Sequence, residues 1–552
     1  MASILWAATV EPLSAGVELS PVPSPQGFEL ATEPKAIQRA CAGDEAELAA
    51  FFRGKGLKFS HDLTTEIRDG RLCHIFYSPT LPGFRASPDD DPITELHGSV
   101  DPLSFIARRK PIGDSLDVVK SVLGRLPRAV RMSLSVAGGF DPSEWPASMQ
   151  FHFDGLSHEI TARALGTNIT HPWGQDHMKA GELAGQVRIL VPWRLFEGRS
   201  GDGELFRPML DQLRDSAYAR SKLSWEGGDL QFVRKPSDPT KIVLFFGAAA
   251  ARYWGSALSR EEYAWILRTE FGADESVDLS ELGPHVDYLV SFLPRDKIAL
   301  LAEPVHESAQ LVRGAAFLLH DLYGDRAPAT LRRFTAYLAD WDGDLHTAQP
   351  KIEQILQVLE SELPLIEAHM DPETMRALDE YEARYCAQDV DSCFLDEGKL
   401  LMQQRDPELL RAASDVAADL VGEQTLAPKL LSVIRTHLPG GAPWKPREFA
   451  KIETRLGQLG FRVVRVPYVA ASRYDDHWAG VSYANLLAFE RRVFIPLLGL
   501  GAFEETVVAR LRRALPRDYE VIGVPARAGL TYNGGIHCVF GIVRRVGASA
   551  GS

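Results

Sequence analysis

A long hydrophobic run is missing from the start of this chain. The apolar residues 4–10 end at Glu11, and no basic residue precedes them. A membrane-spanning helix needs about 20 apolar residues, and a secretory signal begins with positive charge. We therefore expect a protein that makes no membrane contact and is cytoplasmic.

Cysteine is also scarce, with five among 552 residues. They are odd in number and scattered along the chain: Cys41, Cys73, Cys386, Cys393 and Cys538. Such a set is more typical of free thiols in a reducing compartment than of a disulfide framework.

Metal-binding patterns are weak. Cys386 and Cys393 have no second pair of ligands nearby, which disfavours a zinc site. Residues 340–346 resemble a calcium loop, but Gly343 comes too early and Lys351 stands where a bidentate Glu is needed. We expect no metal and no cofactor.

The charge balance is acidic. There are 74 Asp and Glu residues against 60 Lys and Arg residues, a formal net charge of -14. An acidic surface repels nucleic-acid phosphates and concentrates cations such as amines and guanidinium groups. We expect a cationic ligand and no nucleic-acid partner.

The pattern of apolar residues divides the chain into four parts. Residues 1–115 are interrupted by prolines and form an N-terminal extension of unclear fold. Short strands alternate with helices in residues 116–305 and again in 441–547, which predicts α/β structure. Between them, residues 306–440 have apolar residues at helical spacing and predict an all-helical insertion of about five helices.

Two segments place carboxylates beside glycines. Asp176 lies in a loop between two predicted strands, and Glu226 and Asp229 flank Gly227 and Gly228 directly before another strand. A loop Asp is usually a turn or cap residue, and paired glycines are typical of a tight turn.

Two further segments hold a histidine and a thiol. His285 and Asp287 alternate with apolar residues, which predicts a strand with both on one face. Cys538 follows Gly534 and Gly535 in a predicted last strand, a setting that by itself favours an inert buried thiol. His537 would then point to the opposite face and be a structural neighbour.

Together these groups suit one chemistry. A thiolate nucleophile, a proton-carrying histidine and carboxylates can bind and attack a planar cation, because a guanidinium matches carboxylates with its fork of donors.

Five motifs follow one another along the chain: Trp173-Gly-Gln-Asp176, Glu226-Gly-Gly-Asp229, His285-Val-Asp287, Ser482-Tyr-Ala-Asn485 and Gly534-Gly-Ile-His-Cys538. In this order they resemble the guanidine-modifying (pentein) superfamily, especially agmatine deiminases and bacterial-type peptidylarginine deiminases. The resemblance covers roughly residues 146–305 and 455–547. The chain departs from the family at Gln175, where an Arg is usual, and at Val539 and Phe540, where a polar pair is common.

The resemblance implies a five-bladed α/β propeller of ββαβ-type units with the site at its axis. It implies that Cys538 attacks the guanidinium carbon and that His285 protonates the leaving ammonia and then activates water. Asp176 and Asp287 would bind the guanidinium nitrogens, and Glu226 would orient His285 or the substrate.

Among the remaining motif residues, the resemblance implies substrate contacts for Trp173, Asp229 and Asn485. The helical insertion is a candidate surface for a homo-oligomer or another partner.

Three alternatives to a deiminase follow from the same residues. An amidinotransferase would share the thiol intermediate but deliver the group to an amine. A non-catalytic guanidinium-binding protein is a second alternative. A papain-like protease is disfavoured, because there the cysteine precedes its histidine, whereas His285 precedes Cys538.

Overall fold

The computed structural model describes residues 16–22, 36–56, 66–89, 91–100, 115–136, 158, 160–164, 174–193, 218–248, 258–281, 285–367, 426–440, 446–474, 477–527 and 534–544. Trp173, Cys386 and Cys393 lie outside these residues, as do the last two helices predicted in the insertion, at 372–385 and 406–424.

The strands of the first half are β1 (Glu18–Pro21), β2 (Ile37–Ala42), β3 (Glu66–Arg68), β4 (Arg71–Tyr77), β5 (Arg85–Ala86), β6 (Ile93–Val100), β7 (Arg131–Val136), β8 (Ile160–Ala164), β9 (Lys179–Leu183), β10 (Gln186–Val191) and β11 (Tyr218–Arg220). Those of the second half are β12 (Leu230–Lys235), β13 (Asp238–Phe246), β14 (Glu275–Asp278), β15 (Val290–Leu293), β16 (Ile298–Pro304), β17 (Arg462–Tyr474), β18 (His477–Ser482), β19 (Leu487–Phe489), β20 (Arg492–Leu497), β21 (Glu520–Pro525) and β22 (Gly541–Arg544).

The α-helices alternate with these strands over much of the chain. They are α1 (Glu45–Gly54), α2 (Ser115–Leu123), α3 (Arg260–Phe271), α4 (Val286–Leu289), α5 (Ser308–Tyr323), α6 (Ala329–Ala339), α7 (Leu345–Glu367), α8 (Pro446–Leu459), α9 (Ala502–Ala514) and α10 (Ile536–Val539), and residues 426–436 are also helical. The α/β class predicted from the sequence is therefore confirmed.

Local sequence explains where α3 begins and ends. Ser259 accepts a hydrogen bond from the backbone N–H of Glu262, and the Glu262 carboxylate accepts one from the Ser259 N–H, which is a capping box. The helix ends at Gly272 with a φ of 63°, a conformation that favours glycine.

An antiparallel sheet lies near the start of the chain, in the order β1-β2-β4-β3. Cys41 on β2 is directly opposite Cys73 on β4, and their sulfurs are 1.99 Å apart in a disulfide. The prediction that all five cysteines are free thiols is therefore wrong for these two. Disulfides are more typical of oxidising compartments, so this pair weighs against the predicted cytoplasmic location.

In the part of the chain that the structure describes, five further sheets share one pairing scheme. In each, a central strand pairs antiparallel with one neighbour and parallel with the other. The five sheets are β22-β6-β7-β8, β11-β10-β9-β5, β12-β13-β14, β15-β16-β17-β18 and β19-β20-β21. The antiparallel pairs are β22–β6, β9–β10, β12–β13, β15–β16 and β19–β20, and the parallel pairs are β6–β7, β10–β11, β13–β14, β16–β17 and β20–β21.

Parallel neighbours need a crossover connection, which is usually a helix. Helix α2 lies in the crossover between β6 and β7, α3 in that between β13 and β14, and α9 in that between β20 and β21. The predicted helical insertion occupies the crossover between β16 and β17, where the described residues form α5 to α8 and the helical residues 426–436.

This helical segment shares one hydrophobic core with the sheets beside it. Leu311 of α5, Phe334 of α6 and Ile434 are fully buried in the same cluster as Leu300 of β16 and Ile495 of β20. Among the described residues, the segment therefore packs as part of the α/β body.

Strands before residue 115 also join later ones. Strand β6 pairs with β7 and with the last strand β22, and β5 pairs with β9. The predicted extension 1–115 thus contains strands of the repeated sheets, in addition to the separate sheet β1 to β4.

Two local predictions near the candidate site are wrong. His285 and Asp287 lie at the start of the short helix α4 and not in a strand. Cys538 lies in the short helix α10, and the last strand begins only at Gly541. Alternation of polar and apolar residues over three or four positions does not distinguish a strand from one helical turn.

Among the described residues, no helix combines the length and the apolar character that a membrane span requires.

The disulfide gives a testable prediction. We expect Cys41 and Cys73 to resist maleimide labelling when the protein is unfolded without reductant, and to react after reduction. Replacing both by serine should lower the free energy of unfolding of this region by about 3–4 kcal/mol, because the crosslink closes a loop with a sequence separation of 32 residues. Labelling of either cysteine before reduction would contradict the pairing.

Candidate active site

Four chain segments bring the predicted polar residues together. A 3₁₀ turn, Gly174–His177, carries Asp176, and a second, Gly227–Asp229, follows Glu226. The short helices α4 and α10 supply the others. All four are segments of one turn joined to strands, so each side chain is held close to the body of a sheet.

The glycine pair at 227 and 228 allows this close approach. A Cβ on Gly227 would lie 1.8 Å from the backbone oxygen of Gln175. A Cβ on Gly228 would lie 2.7 Å from Nδ1 of His285, 3.0 Å from Oδ1 of Asp176 and 3.3 Å from Oδ1 of Asp287. Asp176, His285 and Asp287 therefore surround one glycine, and the Gly228 N–H donates to Asp176 Oδ1 at 3.0 Å.

His285 is held by Glu226. Its Nε2 lies 2.6 Å from Glu226 Oε2, and its ring stacks on that of Tyr288 at 5.6 Å between centroids. Burial lowers the pKa of His285, but Asp176, Glu226 and Asp287 outweigh it and raise the pKa to about 10. The imidazole is therefore a cation at neutral pH, able to donate a proton.

The thiol of Cys538 is enclosed by Asp287 and Asn485. It donates a hydrogen bond to Asp287 Oδ2 at 3.4 Å and accepts one from Asn485 Nδ2 at 3.0 Å. The Asn485 side-chain oxygen accepts from the backbone N–H groups of His537 and Cys538, at 3.0 and 3.3 Å. Asn485 thus holds both the thiol and the backbone of the segment that carries Cys538.

The thiol is protonated at rest. Burial raises the pKa of Cys538 well above its ordinary value, and Asp287 and Asp176 raise it further, while hydrogen bonds from Gly535 and Asn485 oppose them. A cation placed between these groups would favour the thiolate.

His537 belongs to the site, contrary to the prediction that it faces away. Its Nδ1 lies 3.1 Å from Asp287 Oδ2, the same oxygen that the thiol contacts. The prediction assumed a strand, in which consecutive side chains point to opposite faces; in the turn of α10 both side chains reach Asp287.

Gln175 and Lys179 form a further contact that the sequence did not single out. With its amide nitrogen towards the Phe540 carbonyl, Gln175 donates to that oxygen at 2.7 Å, and its side-chain oxygen accepts from the Lys179 ammonium at 3.0 Å. Gln175, which departs from the motif of the superfamily that the sequence resembles, therefore pairs with a lysine four residues later. The sequence signal for this contact was that residue 175 is a Gln where the resembled superfamily usually has an Arg.

Another predicted residue, Asp229, has different surroundings. Asp229 is fully buried, and its carboxylate adds to burial in raising the pKa of Tyr263 on α3. Its role in substrate binding, like that of Asn485, stays a prediction, and Trp173 lies outside the described residues.

Asp176, Glu226 and His285 also present donor atoms that all lie within 4.8 Å of one another, so these three could hold a cation. The 2.6 Å contact already joins Glu226 to His285 Nε2. An organic cation bound by Asp176 and Asp287 would leave that pair intact, whereas a metal on Nε2 would break it.

The fold and these distances define an α/β protein with a buried cysteine, histidine and carboxylate site. The family model of the Porphyromonas-type peptidyl-arginine deiminases matches residues 389–540. That range begins inside the predicted helical insertion and includes Asn485 and Cys538. The motifs of Asp176, Glu226 and His285 precede it.

Two proteins named as deiminases also match part of this chain. A Shewanella frigidimarina protein named "putative agmatine deiminase" is 31% identical over 153 residues, which is 27% of this chain and 36% of that protein. A Vibrio parahaemolyticus protein of the same name is 28% identical over 109 residues, 20% of this chain and 26% of that protein. The chain thus spans about a quarter to a third of the length of these relatives. These matches confirm the predicted resemblance to pentein-type deiminases.

Solved structures of two agmatine deiminases are similar to most of this chain. The C. jejuni agmatine deiminase covers 84% of this chain and 96% of its own, with 13% identity and a TM-score of 0.44. The agmatine deiminase of Enterococcus faecalis covers 84% of this chain and 97% of its own, with 13% identity and a TM-score of 0.43.

The Glu226 contact predicts a change in the titration of His285. In Glu226→Gln the neutral amide no longer stabilises the imidazolium, so the pKa of His285 should fall from about 10. Nuclear magnetic resonance of ring-labelled histidine would follow it, with Glu453→Gln, a surface carboxylate that pairs with Arg465, as the matched control. An unchanged His285 titration in Glu226→Gln would show that the contact does not hold the charged ring.

The Asn485 contact predicts a change in the thiol. Asn485→Asp would place a carboxylate oxygen beside Sγ, raise the thiol pKa and lower the thiolate fraction at a given pH by about tenfold for each pKa unit. Asn485→Ala removes the donor without adding charge and should have a smaller effect. Iodoacetamide modification rates across the alkaline range would measure both. Equal rates in the wild type and Asn485→Asp would contradict the assignment.

Proposed function

We propose that this protein is a deiminase that hydrolyses a guanidino group through a covalent intermediate on Cys538. The observation that carries the proposal is the arrangement around Gly228. Asp176, Asp287 and His285 lie there together, and Cys538 contacts Asp287. Buried Asp287 Oδ1 and His285 Nδ1 have no hydrogen-bond partner within the described part of the chain.

A guanidinium group suits these carboxylates. It is planar, remains charged and offers N–H donors in a fixed fork. Asp287 Oδ1 is a fully buried acceptor, and buried acceptors without a partner are costly. Donors from a bound guanidinium would satisfy it and bring the central carbon towards the thiol.

The first chemical step forms a bond between Sγ of Cys538 and the guanidinium carbon. The bound cation favours loss of the Cys538 proton to solvent, and the thiolate attacks the guanidinium carbon. Protonated His285 gives its proton to the departing nitrogen, so ammonia leaves and an amidino group stays on Sγ.

The second step releases the product. Neutral His285 accepts one proton from water as the oxygen attacks the amidino carbon. The carbon–sulfur bond breaks, the thiolate returns and a ureido compound leaves. The second proton of the water goes to the ammonia as ammonium, which balances the reaction. Glu226 keeps the imidazole aligned in both steps.

We also infer that the five sheets with a shared pairing scheme are the blades of a five-bladed propeller. The repeated antiparallel and parallel pairs support this arrangement, as does the pairing of the last strand β22 with β6, which joins the two ends of the series. In that fold the one-turn segments would meet near the axis.

Turnover of guanidino compounds tests the proposal. Agmatine, L-arginine and a peptide with an internal arginine should be assayed for ammonia and for a ureido product. We expect Cys538→Ala to lose at least about 10³-fold in rate, because the variant lacks the sulfur on which the proposed intermediate forms. A chelator should leave the rate unchanged, since no step uses a metal.

The double variant Cys41→Ser with Cys73→Ser is the matched control, because it removes two disulfide-bonded cysteines of a different sheet, and it should keep its activity. Addition of an amine acceptor separates the alternatives: a new guanidino product would indicate an amidinotransferase. Binding without turnover, equal in wild type and Cys538→Ala, would contradict catalysis.

A further inference from the structure

Lys179 is a basic side chain against the candidate site that the reaction does not use. It is the first residue of β9 and is partly buried. Its Cε lies 3.3 Å from the position that a Cβ on Gly227 would take, directly beside Gly228 and the carboxylates around it. Its Nζ donates to Gln175 at 3.0 Å.

Four charged groups act on this amine from the elements packed around it. Asp89, Asp287 and Asp176 favour the charged ammonium, and Arg544 of β22 opposes it. Burial opposes it most strongly, and the pKa of Lys179 is lowered to about 8 as a result. The amine therefore changes charge near neutral pH, unlike an ordinary lysine.

Two of these carboxylates, Asp176 and Asp287, are the groups proposed to bind the substrate. A guanidinium there is a second cation near the same amine. Like charges disfavour each other most strongly where water is excluded.

We propose that Lys179 is a specificity-determining residue whose ammonium competes with the guanidinium of the substrate for Asp176 and Asp287. The site then binds cationic guanidines best when the Lys179 amine is neutral, and binding releases its proton. This inference rests on the proposed function.

The expected size of the pH effect on binding follows from the fraction of Lys179 that carries a neutral amine. If only that form binds, the dissociation constant at about pH 7 is about tenfold weaker than at about pH 9. The direction is fixed: raising the pH removes the competing charge, so affinity increases.

The test uses calorimetric titration of Cys538→Ala, in which turnover is blocked. Agmatine, L-arginine and an acetylated arginine amide are the probes, each in buffers of different ionisation enthalpy to count released protons. Lys179→Met in the same background should lose the tenfold pH dependence and release about one proton fewer at neutral pH. His285 is present in both proteins, so their difference isolates Lys179.

Lys179→Arg keeps the charge at every pH and serves as the matched variant. It should bind weakly throughout and gain little affinity as the pH rises. It also decides the question if Lys179→Met does not fold.

If Lys179→Met or Lys179→Arg binds with the pH dependence of the parent, the role of Lys179 is wrong and the proposed function stands. If no probe binds the parent at any pH, both are wrong.

Discussion

Burying the carboxylate of Asp287 costs free energy that only neighbouring donors and cations can offset. The side chain is fully buried, and one of its oxygens contacts both the Cys538 thiol and the His537 ring. The protonated His285 lies close by. The site is thus built around an anion, and a bound guanidinium would add the cation that a buried carboxylate needs.

The charge of Asp287 also explains why the Cys538 thiol is unreactive when no cation is bound. Asp287 and Asp176 keep Cys538 protonated, which protects a buried cysteine from unwanted reaction. A cation that neutralises these carboxylates would shift the thiol towards the reactive thiolate. In the proposed reaction, selection of a cationic substrate and activation of Cys538 would therefore come from one electrostatic arrangement, in which we propose Lys179 as a competing internal cation.

The residue types could be predicted from the sequence. Cys538, His285, Asp287, Asp176 and Glu226 each follow or precede a glycine or a strand, and their order resembles one superfamily. The structure brings all five to the same place.

Local geometry was harder to predict. One-turn helices and short strands have the same pattern over a few residues, so α4 and α10 were predicted as strands, and His537 was placed on the wrong side. Lys179 looked like any lysine at the start of a strand, because its pKa depends on burial and on the charges of Asp89 and Asp287, which are distant in the chain. The Cys41–Cys73 pair likewise depends on strand register, which cysteine spacing does not give.

The proposed reaction depends on a covalent intermediate on Cys538, which mass spectrometry of a reaction stopped in acid can detect. With a guanidino substrate that turns over, we expect a peptide that contains Cys538 and carries the substrate's amidino group. The adduct should be present in the wild type during turnover and absent in Cys538→Ala, which has no thiol at that position. Turnover with an unmodified Cys538, or an adduct on any other residue, would contradict it.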